Sequence, residues 1–156
     1  MSSGVVLSTM DRIEFRYTVG MDDDEVERRL ERTETGVLAL AAGGDAYAIP
    51  VAHHHANGSL YVRLADDGSS TKMRYIEGTE TACLSCYDVD ETGDSWSVLV
   101  TGSLRKLEDD ERAAFDETAV NESFLELRVF DEDVEAIDLE LYEFEIESAA
   151  GRRTVE

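Results

Sequence analysis

A chain of 156 residues, 42% of them apolar, is long enough for one folded domain with a real core. Its 36 acidic residues against 14 basic ones leave a net charge of -22, a field that repels nucleic-acid phosphates and anionic lipid and argues against either as a partner. The same charge strains a compact fold in dilute buffer; molar salt shortens the screening length to about 3 Å and relieves the strain. Only Lys72 and Lys106 are lysines, the other basic residues are arginines, and the acids are interleaved with apolar residues along the chain. A soluble protein of a salt-loaded cytoplasm is expected, a single domain over residues 1–156. Two cysteines, Cys83 and Cys86, make no disulfide framework, no apolar run approaches the roughly 18 residues of a membrane span, and no basic-then-apolar leader opens the chain.

The first predicted element is a helix over Asp22–Arg32. Asp22 and Glu25 have capping-box spacing, Val26 and Leu30 lie one turn apart on one face, and Gly36 is the expected stop. Strands follow: Gly36–Ala42, a turn at Gly43, Gly44 and Asp45, then Ala46–His54, the hairpin signal Asn57-Gly58, and the alternating Leu60–Ala65. Asp66–Ser70 reads as a polar loop and Thr71–Glu77 as a short helix. Thr81–Val89 and Ser95–Leu107 form a strand pair turned at Glu91-Thr92-Gly93-Asp94. Asp109–Val120 has the acidic first turn of a helix, and Phe124–Phe130 fits no single period. The last strand is Leu139–Glu147, whose apolar phase switches and so predicts a bulge near Tyr142. Many short strands and few helices point to a mainly β barrel with peripheral helices rather than to βαβ units.

Five places carry candidate chemistry. Arg63, with Ser69, Ser70, Thr71 and Lys72, combines cations, hydroxyls and a helix N-terminus, the donor set a phosphate requires; a plain helix cap with surface ion pairs uses the same residues. Pro50, the sole proline, lies inside a predicted strand, so that stretch is an edge, a bulge or a place where something other than a strand meets the backbone; the amides of Val51 and Ala52 follow it. His53 and His55 share one strand face, but no third ligand is near in sequence, so no metal site is assigned and a solvated strand end is expected. Cys83 and Cys86 fall in a strand, three apart and therefore on opposite faces, as structural thiols. Trp96 opens an apolar strand and is expected in the core or an interface. No serine–histidine–acid set or nucleotide-binding glycine pattern is present.

Taken in order, the segments Gly36-Val37-Leu38-Ala39-Leu40-Ala41, Ala46-Tyr47-Ala48-Ile49-Pro50-Val51, Leu60-Tyr61-Val62-Arg63-Leu64, Ser70-Thr71-Lys72, Trp96-Ser97-Val98-Leu99-Val100-Thr101-Gly102 and Gly151-Arg152-Arg153 resemble the pyridoxamine 5'-phosphate oxidase-like family of FMN-binding split barrels, its small haloarchaeal members above all. The resemblance spans about Gly20 to Arg153. It implies a homodimer with FMN at the interface. Ile49, Pro50, Val51 and Ala52 would line the isoalloxazine. Arg63 with the adjoining Leu64, Ser70, Thr71 and Lys72 would hold the phosphate, and Trp96 and Ser97 would approach from the partner. The histidine triplet departs from the family pattern, and the arginine- and tryptophan-bearing C-terminal substrate segment of true pyridoxamine phosphate oxidases is missing. The implied activity is a flavin-dependent oxidoreductase fed by a nicotinamide donor, its substrate unnamed. The alternatives are a non-catalytic flavin-binding or redox-sensing module, or a split barrel that holds haem or a deazaflavin.

Overall fold

The computed structural model describes residues 17–56, 58–66, 70–108, 110–111 and 138–155. Its elements are β1 (Thr18–Gly20), α1 (Asp23–Arg32), β2 (Thr35–Ala42), β3 (Asp45–Ala56), β4 (Ser59–Asp66), α2 (Ser70–Gly78), β5 (Ala82–Val89), β6 (Ser95–Lys106) and β7 (Asp138–Thr154). The strands are antiparallel in the order β1-β7-β4-β3-β2-β5-β6, and β6 pairs back onto β7. Six strands therefore close on themselves, which removes the open edges a sheet of this size would otherwise present. The expected barrel is the one observed.

Alternation along each strand builds the interior. Leu38, Leu40, Leu60, Val62, Leu64, Leu84, Val98, Val100 and Phe144 all point inward and are buried. Fully burying each such side chain is worth about 1.5–3 kcal/mol. The two helices add Val26 and Leu30, and Tyr75 and Ile76, to the same core. Asp22 caps α1 by accepting from the Glu25 N–H at 2.8 Å. Among the described residues no helix is long and apolar enough to cross a membrane.

Several expectations need correction. Helix α1 stops at Thr33, not at Gly36: the Thr33 N–H and hydroxyl both donate to the Arg29 carbonyl. Gly36 lies inside β2, where a β-carbon would sit 2.9 Å from Cys86 Sγ and 3.0 Å from the Ser85 carbonyl oxygen, so glycine is needed for the approach of β5. The last strand runs on to Thr154, because Ala149–Arg153 has β6 beside it. The bulge is not at Tyr142, which pairs regularly with Lys106. It lies where Thr101 pairs with Ser148 but Gly102 with Ile146, leaving Glu147 as the additional residue. A β-carbon on Gly102 would collide there with the Glu145 carbonyl. The ambiguous Phe124–Phe130 segment lies outside the described residues, and so does most of the helix predicted over Asp109–Val120.

Candidate functional site

Strand β3 is paired differently along its length. With β2 it is in register from Asp45 to Ala52; with β4 only from Ala52–Arg63 to Ala56–Ser59. Beyond that point β4 continues through Leu64, Ala65 and Asp66 beside β7 alone. The two strands part, and among the described residues the Asp45–Val51 stretch has a ladder on one side only. Pro50 lies in that stretch, opposite Val37 of β2. The His53 N–H donates to the Glu34 carbonyl, on the β2 side. Alternate residues of a strand direct their N–H groups to opposite sides. His53, Val51 and Ile49 therefore face β2 with their amides, while Ala48, Pro50 and Ala52 face the other way. The missing N–H of Pro50 falls on the unpaired side, where it costs the ladder nothing.

Side chains alternate in the other sense. Tyr47, Ile49 and Val51 pack inward with the core; Ala48 and Pro50 are exposed on the outer surface. Ala52 is buried although it shares their outward phase, beside Arg63. On β4, Leu64 points in and Arg63 out, between Ala52 and Leu141.

Helix α2 is the next described element after β4. Tyr75 of α2 stacks on Tyr47 of β3, ring centroids 4.7 Å apart and planes at 12°. At its far end the Ala41 N–H donates to Thr79 Oγ1 at 3.1 Å. These contacts hold the helix against the β2–β3 hairpin. Ser70 and Thr71 open the helix, as predicted, and its first turn has no acidic residue. Lys72 is 7% exposed, not the surface lysine that a simple cap would leave. Arg74, a conceivable substitute cation, has its guanidinium over the Tyr75 ring at 4.5 Å.

Trp96 and Ser97 open β6, three strands away from β3 in either direction around the barrel. One copy of the chain does not bring them to the parted edge. Trp96 packs at the margin of the core under the Arg29 guanidinium, 4.9 Å from the ring centroid, beside an open cleft also lined by Arg153, Asp88 and Asp94. Arg153 is in turn held by Glu25 at 2.9 Å. Ser97 faces out.

The histidines are where sequence reasoning missed most. His53 and His55 are buried, not a solvated strand end. His53 Nε2 lies 3.1 Å from Thr33 Oγ1, and burial lowers its pKa to about 4. Their phase with Tyr47, Ile49 and Val51 is the signal that placed them inside. The cysteines do split between faces: Cys86 is buried, its thiol pushed up to about 11 by desolvation, and Cys83 is half-buried on the outer face.

The fold has known counterparts. An FAD-binding protein from Mesorhizobium loti superposes with a TM-score of 0.65 at 16% identity over 88% of this chain and 99% of the other. The FAD binding protein from Mycobacterium smegmatis gives 0.61 at 16%, over 88% and 98%. The FAD and heme binding protein of the same organism gives 0.66 at 16%, over 89% and 74%. At such identities these likenesses speak for the split-barrel fold alone. No curated protein matches the chain. The sequence pattern of the pyridoxamine 5'-phosphate oxidase family, however, matches residues 22–153, which take in both helices and all the barrel strands almost to the end of β7; the chain belongs to that family.

Proposed function

We propose that this chain binds FMN where β3 and β4 part, does so as a homodimer, and works as a flavin-dependent oxidoreductase. The carrying observation is the start of α2. A lysine in a helix's first turn has the unfavourable sign for the helix dipole, and here it is also largely buried. An anion at that helix end suits both features, since its oxygens can meet Lys72 and the N-terminal N–H groups of the helix together. The first turn itself has no carboxylate to repel an anion. The FMN phosphate suits this donor set. Arg63, on the last paired rung before the strands separate, is a second cation for it, and Ser70 and Thr71 add hydroxyls.

The ring end has a matching surface. The outward row Pro50, Val37, Ser85, Leu99 and Ala150 crosses five strands, and the next row is Ala48, Ala39, Cys83, Thr101 and Ser148. Neither row contains a charge, although 32% of the chain is charged. Leu99 is 49% exposed and the nearby Tyr87 67%. Such a face supports a two-fold interface. Pro50 lies at one margin and Ser97 beside Leu99 at the other, so a second copy supplies Trp96 and Ser97 to the flavin in this reading. Ala48 and Pro50 offer a flat, uncharged seat, with backbone on the unpaired side for the ring's polar edge. Bound flavin supplies hydride and single-electron chemistry; the residues named bind it, orient it and shield it from water.

The absorbance spectrum of freshly purified protein, with mass spectrometry of the released ligand, tests the reading. Flavin absorption, an FMN mass and bleaching by a nicotinamide donor with reoxidation by an acceptor are expected. Flavin without turnover reduces the protein to a binding module. Haem or deazaflavin in place of FMN overturns the cofactor assignment.

A further inference from the structure

We propose that His55, Glu27 and Glu31 form a binding site for a divalent transition-metal ion of the Zn²⁺ class. Glu27 and Glu31 are four apart on α1 and so project from one face of the helix. His55 reaches them from the inner face of β3. One ligand atom from each of the three lies within 4.8 Å of the others. The imidazole is the informative member. Its side chain is 4% exposed, and among the described residues its buried Nδ1 has no hydrogen-bond partner. The Glu31 carboxylate stands 3.9 Å from that nitrogen, too far for a hydrogen bond. A buried ring nitrogen 3.9 Å from a carboxylate to which it makes no hydrogen bond costs free energy as it stands. An ion between them satisfies all three groups at bond lengths near 2.0–2.2 Å after small side-chain rotations.

The donor set selects the ion. One neutral imidazole and two carboxylates suit Zn²⁺, Co²⁺ or Mn²⁺; Mg²⁺ and Ca²⁺ prefer all-oxygen shells. Both glutamates are exposed, so an ion enters from solvent without opening the barrel and keeps a water at a fourth position. The site clips α1 to β3. It is separate from the proposed flavin seat on the outer surface, and its outcome does not depend on that reading.

Isothermal titration of chelator-treated, full-length protein with Zn²⁺ is the test, with Mg²⁺ as the second probe and the visible spectrum of the Co²⁺ form as an independent readout. Expected are one Zn²⁺ per chain, no comparable Mg²⁺ binding, and a tetrahedral or five-coordinate Co²⁺ spectrum without thiolate charge-transfer bands. Partners outside the first coordination sphere are worth about 10–100-fold in metal affinity, so losing a direct ligand should exceed about 100-fold. His55→Gln is the obvious variant. Glu27→Gln with Glu31→Gln changes only exposed side chains and keeps the test sound if the buried substitution unfolds the chain. His54→Gln, in the neighbouring outward position, should bind as the wild type does. Unchanged Zn²⁺ affinity in the double glutamine variant, loss on His54→Gln, or a thiolate band that places the ion on a cysteine overturns the proposal.

Discussion

Residues Ala52–Ala56 of β3 pair with β4, whereas Asp45–Val51 pair with β2 only, and Ala52 is the one residue in both ladders. The half paired with β4 turns His53 and His55 into the interior beside Leu60 and Val62. The half that β4 does not reach has the proline and the exposed Ala46 and Ala48. One strand thus exchanges its neighbour at Ala52, with buried histidines on one side of that point and exposed small residues on the other. The proposed flavin seat lies in the half that β4 does not reach, where backbone groups and small side chains are available to a ligand.

The sharpest break of this comparison is in the wall. Phe144 pairs with Leu60 and is 1% exposed. Phe144→Ala should cost about 3–5 kcal/mol of stability, read by urea unfolding in molar salt. FMN affinity of the folded fraction should hardly change; a loss of FMN binding with stability intact would mean that wall and seat are not separate.

Acid probes the same wall more gently. An unfolded chain protonates a histidine near 6.5, while His53 in the fold waits until about 4. Between those values the unfolded state holds the additional proton. Stability therefore falls as pH drops from about 6.5 to about 4 and takes no further loss from this group below that. The full effect is at most about 3 kcal/mol. Comparing wild type with His53→Gln in chelator and molar salt isolates it from the many carboxylates. Parallel pH profiles for the two would place His53 in contact with water.

The seat should respond in affinity rather than stability. Charge-assisted hydrogen bonds contribute roughly 1.5–3 kcal/mol, so Lys72→Ala should weaken FMN about tenfold to a hundredfold. Riboflavin, which has no phosphate, should bind both proteins alike. Equal weakening of both ligands would remove Lys72 from the phosphate end. The smallest effect belongs to Pro50→Ala, about 0.4–1 kcal/mol through the unfolded chain, because no ladder bond is at stake. Val51→Pro, which strips an N–H from the β2 side, should cost several times more; similar costs would refute the alternation assigned here.

The elements were largely legible because each has a local signature. Asp22 and Glu25 marked the start of α1, the glycine turns separated β2 from β3, and alternation marked Leu60–Ala65 and Ser95–Leu107. Pro50 announced an edge before any neighbour was known. What did not show is what depends on partners distant in sequence. The run Ala149-Ala150-Gly151 has little strand signal of its own and is strand because β6 lies alongside. Lys72 is a polar residue whose burial only the tertiary fold determines, whereas the strand phase of His55 with Ile49 and Val51 was there to be read. The meeting of His55 with Glu27 and Glu31 needs α1 against β3, which no spacing in the chain encodes. The apparent phase switch at Tyr142 misled because Leu141 is half-buried on the outer face beside Arg63. Apolar character there does not mean inward.

The uncharged outer face joins the two halves of the proposed site, and it can be tested in one experiment. Leu99→Asp places a carboxylate on that face without touching the core, since Leu99 is half-exposed in a single copy. Light scattering coupled to gel filtration in molar salt, with FMN titrated into the same fractions, gives assembly and binding together. The expected result is a wild-type dimer with one FMN per chain and a folded Leu99→Asp monomer that has lost FMN. A wild-type monomer, or a monomeric variant that binds FMN as tightly as the wild type, would contradict a flavin site shared between two copies.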